Sequence, residues 1–163
     1  MHWLSAGKQP NGMVIRMQGF DRGLFGGNFH THNWLPLLPG VDVVATSTGR
    51  DYARAMRHAV RQARAGRVVM VVDATYLLNL REDAFLTSYP ADGDELAFDA
   101  VLERPDDSDA VRRVACVTWG TGVVAALRAR KLLDENVALD VFEQPCLTWS
   151  AEGLATALAP YDA

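Results

Sequence analysis

Two apolar runs separated by one amphipathic stretch constrain this chain most. The runs are Val41-Asp42-Val43-Val44-Ala45 and Arg67-Val68-Val69-Met70-Val71-Val72-Asp73. Short, nearly continuous apolar runs of this kind suit strands covered on both faces, as in parallel sheets. Between them, Thr48-Gly49-Arg50-Asp51 offers a hydroxyl N-cap with a carboxylate three residues on, a variant of the capping box. Tyr52, Met56, Ala59, Val60 and Ala63 then recur at helical spacing on one face, and Gly66 ends the helix. Strand, helix and strand joined by short loops predict a parallel βαβ unit. Gly12-Met13-Val14-Ile15-Arg16-Met17 adds a short strand ahead of it.

A second block repeats the pattern. Arg113–Trp119 reads as a strand, Gly120-Thr121-Gly122 as a turn, and Val123, Ala126, Leu127 and Leu133 as one face of a helix. Asn136 stops that helix, Val137–Phe142 is a strand, and a last short helix runs from Ser150 to near Pro160. From about Leu80 to Arg112 the character changes to scattered Asp and Glu among Pro90, Gly93 and Pro105. Within this acidic connector, Leu96-Ala97-Phe98 and Ala100-Val101-Leu102 are expected to form one short strand around Asp99. The expected fold is α/β: mostly parallel sheets with flanking helices, in two partial domains at 1–80 and 113–163 joined by a connector at 81–112.

Composition narrows the function classes. A chain of 163 residues buries roughly 70% of its unfolded surface, enough for one domain or two incomplete ones. Hydrophobic content of 49% against 22% charged makes it globular rather than disordered. A net charge of −4 argues against a general nucleic-acid surface. No apolar run approaches the ~20 residues that span a bilayer, and the first residues lack the pattern of a signal peptide. Cys116 and Cys146 are too few for a disulfide framework, and Cys116 reads as a buried thiol. A cytoplasmic protein is expected.

The candidate chemistry lies in Gly26-Gly27-Asn28-Phe29-His30-Thr31-His32-Asn33. Two glycines free the backbone, and in an extended segment His30 and His32 face the same way. Three readings stay open on spacing alone. The histidines shuttle protons or stabilise an oxyanion, they bind a metal, or they are loop residues bonded to backbone. Gly120-x-Gly122 reads as a tight strand-to-helix turn, the alternative being a phosphate loop. Arg54, Arg57, Arg61 and Arg64 form a stripe expected to be a solvated helix face, the alternative being an anion or acidic-partner site. Trp34 and Trp119 suit buried packing or a subunit interface.

The Gly26-Gly27-x-x-His30 loop, Pro39-Gly40, the strand after it and Ser47-Thr48 before the helix resemble one segment of the thiamine-diphosphate-dependent 2-oxo-acid dehydrogenases, in their β subunit or β-like half. Ala115-Cys116-Val117-Thr118-Trp119-Gly120-Thr121-Gly122 is similar to the start of the transketolase-type C-terminal domain. The resemblance implies a transketolase-like fold. Residues 1–80 would be the later part of a pyrimidine-binding-like domain, and 113–163 the start of a C-terminal-like domain. It implies oxidative decarboxylation of a 2-oxo acid and acyl transfer, with thiamine diphosphate and Mg²⁺. His30 falls on the family's active-site histidine, with His32 in support. The family's cofactor-activating glutamate strand and its GDG…N diphosphate motif have no counterpart here, so a homo-oligomer or a chain carrying the diphosphate-binding domain is the expected partner. No nucleic acid or membrane is expected. The alternatives are a non-catalytic interaction module of this fold, or a metal-binding protein using His30 and His32.

Overall fold

A computed structural model of the chain describes residue 8 and residues 11–20, 39–82, 85–148 and 152–161. Strands β1 (Met13–Gln18), β2 (Val41–Ala45) and β3 (Val68–Asp73) form a parallel sheet in the order β1-β3-β2. Met13 and Val41 both pair with Val68, so β1 and β2 flank β3 in the same register. Helix α1 (Gly49–Arg64) makes the crossover from β2 to β3. The Thr48 hydroxyl accepts from the Asp51 N–H at 3.1 Å and donates to the Asp51 carboxylate at 2.7 Å, so the cap forms as the spacing predicts. Gly66 ends the helix at φ +94°, where a side chain would be strained.

The second sheet has the order β4-β6-β5, from β4 (Leu102–Arg104), β5 (Arg112–Thr118) and β6 (Val137–Glu143). β5 is parallel to β6 and β4 antiparallel to it, and helix α3 (Thr121–Arg130) joins β5 to β6. The fold is therefore α/β, with one parallel and one mixed sheet. Beyond β6 the chain runs antiparallel along the outer edge of β2. Ala45 N donates to Pro145 O at 2.8 Å and Leu147 N to Val43 O at 2.8 Å. This closes an edge that would otherwise expose unpaired backbone groups. The last described elements are α4 (Glu152–Leu158) and a 3-10 turn at Ala159–Tyr161.

The core lies on both faces of the first sheet, because β2 and β3 are apolar at alternate and intervening positions alike. On one face Val44, Val69 and Val71 pack against Ala55 and Ala59 of α1, with Leu96, Phe98 and Cys146. On the other, Val43, Ala45, Met70 and Val72 are buried with Ile15, Met17 and Leu147 against them. Each fully buried valine contributes about 1.5–3 kcal/mol relative to an exposed one. Asp42, the one acid in β2, is tolerated inside because Arg67 donates to both its oxygens, at 2.6 and 2.7 Å.

Several expectations change. Residues 96–101 are not in a strand. Leu96 and Phe98 are instead buried beneath α1, and the strand begins at Leu102. The arginine stripe is not a bare solvated face. Arg54 bonds Asp94 at 2.9 Å, Arg57 the Asp94 carbonyl at 3.0 Å and Arg61 Glu95 at 2.7 Å, so the acidic segment docks on the helix by charge. Helix α3 ends at Arg130, leaving Leu133 exposed beyond it. A short helix α2 (Thr75–Leu78) follows β3, with no periodic signal in so few residues. Cys116 is half-buried beside α3 and Cys146 is buried. Trp119 is 43% exposed and so is not a packing residue of this chain. Among the described residues, no helix is long and apolar enough to cross a membrane.

Candidate functional site

The C-terminal ends of parallel strands are where open α/β sheets bind ligands, because the loops there diverge and helix N-termini point at the gap. Here β2 ends in Thr46-Ser47-Thr48-Gly49, which turns into α1, and β3 ends in Asp73-Ala74 before α2. These two turns, Tyr52 of α1, Leu77 and Leu78 of α2, and the segment through Leu80, Phe85 and Thr87 enclose a cavity of about 260 Å³. β1 finishes at the same edge, where the Gly19 N–H donates to the Asp73 carbonyl at 2.8 Å.

Two charged residues line the cavity, Arg81 and the buried Asp73. The Asp73 Oδ2 accepts from Arg16 Nε at 2.5 Å, while its Oδ1 is buried and makes no hydrogen bond. The Thr46 hydroxyl is likewise buried without a hydrogen bond, and the buried Tyr52 hydroxyl lies against Asp73 and Arg16. Burial raises the Tyr52 phenol pKa, and the Asp73 charge raises it further, so the group stays neutral near pH 7. Arg16, bonded to Asp73, is held above the ordinary arginine value. The helix end itself is not an open anion site. Arg50 N–H donates to Thr87 at 3.1 Å, and Asp51 N–H is taken by Thr48.

Behind the cavity, Ser47 is tied to the second block. Glu143, at the end of β6, is fully buried. It accepts the Ser47 N–H at 2.7 Å, the Ser47 hydroxyl at 2.7 Å and Arg104 Nη2 at 2.6 Å. Burial pushes the Glu143 carboxyl above its ordinary value, and the bonds from Ser47 and Arg104 only partly oppose that. A serine hydroxyl on a carboxylate has the look of an activated nucleophile. Ser47 is 3% exposed with its hydroxyl turned to Glu143, so the pair is a structural tie. A second tie centres on Asp140. Burial raises its pKa, but bonds from Arg113, the Tyr161 hydroxyl and the Asp106 N–H outweigh that and lower it to about 2.

The predicted site residues His30 and His32, with Gly26, Gly27 and Trp34, lie outside the described residues. Among the described residues, no three His, Cys, Asp or Glu side chains lie together as metal ligands. Gly93-Asp94 sits in a turn with Asp94 bonded to Arg54, a docking contact for the acidic segment. The sequence reading placed Asp73 in a strand and Ser47-Thr48 before a helix, but assigned none of Thr46, Asp73, Arg104 and Glu143 to a site. A signal was present: Asp73 and Asp140 are acids in otherwise apolar strands, and a buried acid needs a partner. No protein-family model matches the chain, and no curated protein matches it.

Proposed function

We propose that this chain is part of a thiamine-diphosphate-dependent 2-oxo-acid dehydrogenase-like enzyme that acts only with a further polypeptide. The observation that carries the reading is the β1-β3-β2 parallel sheet. Its strands come in the chain order of the motifs, and the Ser47-Thr48 turn feeds α1 at the edge where β1 ends. The segment containing His30 connects β1 to β2 in the sequence. His30 is the proposed functional group, with His32 in support.

The described residues do not fit the whole cofactor. They offer no Mg²⁺ ligand cluster, and Asp94 is bound to Arg54. The diphosphate and its metal therefore belong to a partner in this proposal, and no chemical step is assigned through them here. The chain should be inactive towards 2-oxo acids alone and gain turnover with a polypeptide carrying a GDG…N motif, thiamine diphosphate and Mg²⁺. Turnover by the isolated chain, or none with any such partner, would reject the proposal.

A second reading, a non-catalytic interaction module, draws on the outer strand β5. Val114 and Val117 on it, and Trp119 just beyond it, are each at least 40% exposed. Exposed apolar groups along an edge strand favour association with another chain. A stable complex lacking cofactor-dependent turnover would favour this reading.

A further inference from the structure

Strand β5 is an open edge. The Arg112 N–H donates to the Asn136 carbonyl and the Thr118 carbonyl accepts from the Gln144 N–H, both at 3.1 Å, so alternate residues from Arg112 to Thr118 bond β6. The backbone groups of Arg113, Ala115 and Val117 therefore point outward, and among the described residues no strand pairs with them. Natural sheets blunt such edges with proline, lysine, a bulge or a very short strand. β4, at the other edge of this sheet, is only three residues long. β5 runs for seven residues without proline or lysine, and its register with β6 carries no bulge. Its middle reads Val114-Ala115-Cys116-Val117, and Val111, just before it, is 88% exposed.

We infer that β5 pairs antiparallel with β5 of a second copy of this chain, across a two-fold axis at Ala115. The open backbone groups require an extended strand, and the side chains select this one. Ala115 faces the partner's Ala115 and Arg113 faces the partner's Val117, in pairs that exchange about six hydrogen bonds in all. Val114 lies opposite the partner's Cys116, Arg112 opposite the partner's Thr118 and Val111 opposite the partner's Trp119. Exposed apolar groups of one copy are thereby covered by the other. Charge sets the direction. Arg112 and Arg113 sit at one end of β5, and Thr118 and Trp119 at the other. A parallel pair would bring like guanidinium groups together, whereas the antiparallel pair sets each opposite a neutral residue. Arg113 keeps its bonds to Asp140, at 2.7 and 3.0 Å. Only this register places every residue of both strands in the ladder. Each copy has one β5, so the two-fold contact uses up the edge and stops at a dimer. The dimer rests on the interaction-module reading of β5 and gives it a partner.

The test reads the mass of the whole chain by sedimentation, without turnover, so failure of the dimer is separate from failure of the catalytic reading. Twice the chain mass is expected at about 100 µM, a concentration at which a contact of micromolar affinity is filled. Val117→Lys, at an exposed position, sets a lysine against the partner's Arg113 and should give a monomer with an unchanged circular dichroism spectrum. Val117→Glu sets a carboxylate there and should keep the dimer. Cross-linking fixes the register. Val114→Cys lies opposite the partner's Cys116 in a non-hydrogen-bonded pair, where the Cα atoms are about 4.5 Å apart and a disulfide fits. Mild oxidation should link its two chains, and should link neither the wild type nor Val114→Cys combined with Cys116→Ser. A wild-type monomer at about 100 µM, including one that binds only a different polypeptide, would overturn the inference. So would a dimeric Val117→Lys, a monomeric Val117→Glu, an unlinked Val114→Cys or a linked double variant.

Discussion

Glu143 accepts both the backbone N–H and the side-chain hydroxyl of Ser47, each at 2.7 Å, across 96 residues of sequence. The bond pair joins the end of β6 to the turn that starts α1, so the two βα blocks meet through one fully buried carboxylate. Arg104 completes it at 2.6 Å from β4. Three elements far apart in the chain converge there.

Glu143→Ala should destabilise the protein by about 3 kcal/mol, because it strands the Ser47 N–H, its hydroxyl and a guanidinium. Glu143→Gln should cost less. The Glu143 pKa is raised in the fold, so its stabilisation is present below the ordinary carboxylate range and lost as pH rises through the raised value. Relative to wild type, Glu143→Gln should therefore fare better at pH 8 than at pH 4. Urea unfolding at both pH values measures this, and a gap that widens at pH 8 would contradict it.

Asp140 works in the opposite direction. Its pKa is lowered to about 2 from an ordinary 3.8, so its contribution is present above pH 4 and lost as pH falls through 2. That contribution is about 2 kcal/mol. Asp140→Asn should remove it, so the stability gap to wild type should shrink by about that amount between pH 5 and pH 2. A constant gap over that range would show that Asp140 carries no such linkage.

Gly12→Ala should destabilise the fold by about 1–3 kcal/mol, the usual range for overpacking. A Cβ at Gly12 would stand 1.6 Å from the Ala63 carbonyl oxygen, so α1 and the start of β1 would have to separate. Thermal unfolding of the variant gives the answer directly, and an unchanged melting temperature would mean the two elements are less closely apposed.

His30→Ala, in the chain assembled with its proposed partner, should lower turnover by about 10²-fold, the scale of a positioned acid–base group. His32→Ala should cost less, since the resemblance does not place a fixed histidine there. Steady-state kinetics of both variants are decisive. Equal losses would favour the two-histidine metal site instead.

Much of the architecture was legible in the chain. The apolar runs at 41–45 and 67–73, the Thr48–Asp51 cap and the periodic face of α1 predicted a parallel βαβ unit, and that unit forms. The second strand–helix–strand was readable for the same reason. The cavity was not, although Ser47 and Thr48 stood out, because its floor draws Asp73 from one strand and Tyr52 from a helix.

Local pattern decides which residues are helical or extended and which face is apolar, because backbone sterics and side-chain periodicity act over a few residues. In this protein it determined the β2–α1–β3 unit and the β5–α3–β6 unit. Only the tertiary structure decided that Leu96 and Phe98 enter the core as coil, that the arginines of α1 hold Asp94 and Glu95, and that Ser47 meets Glu143. The physical reason is that a buried charge or an uncovered apolar face states a demand without naming its partner. Any distant segment of suitable chemistry can meet that demand, and three-dimensional packing selects which one does.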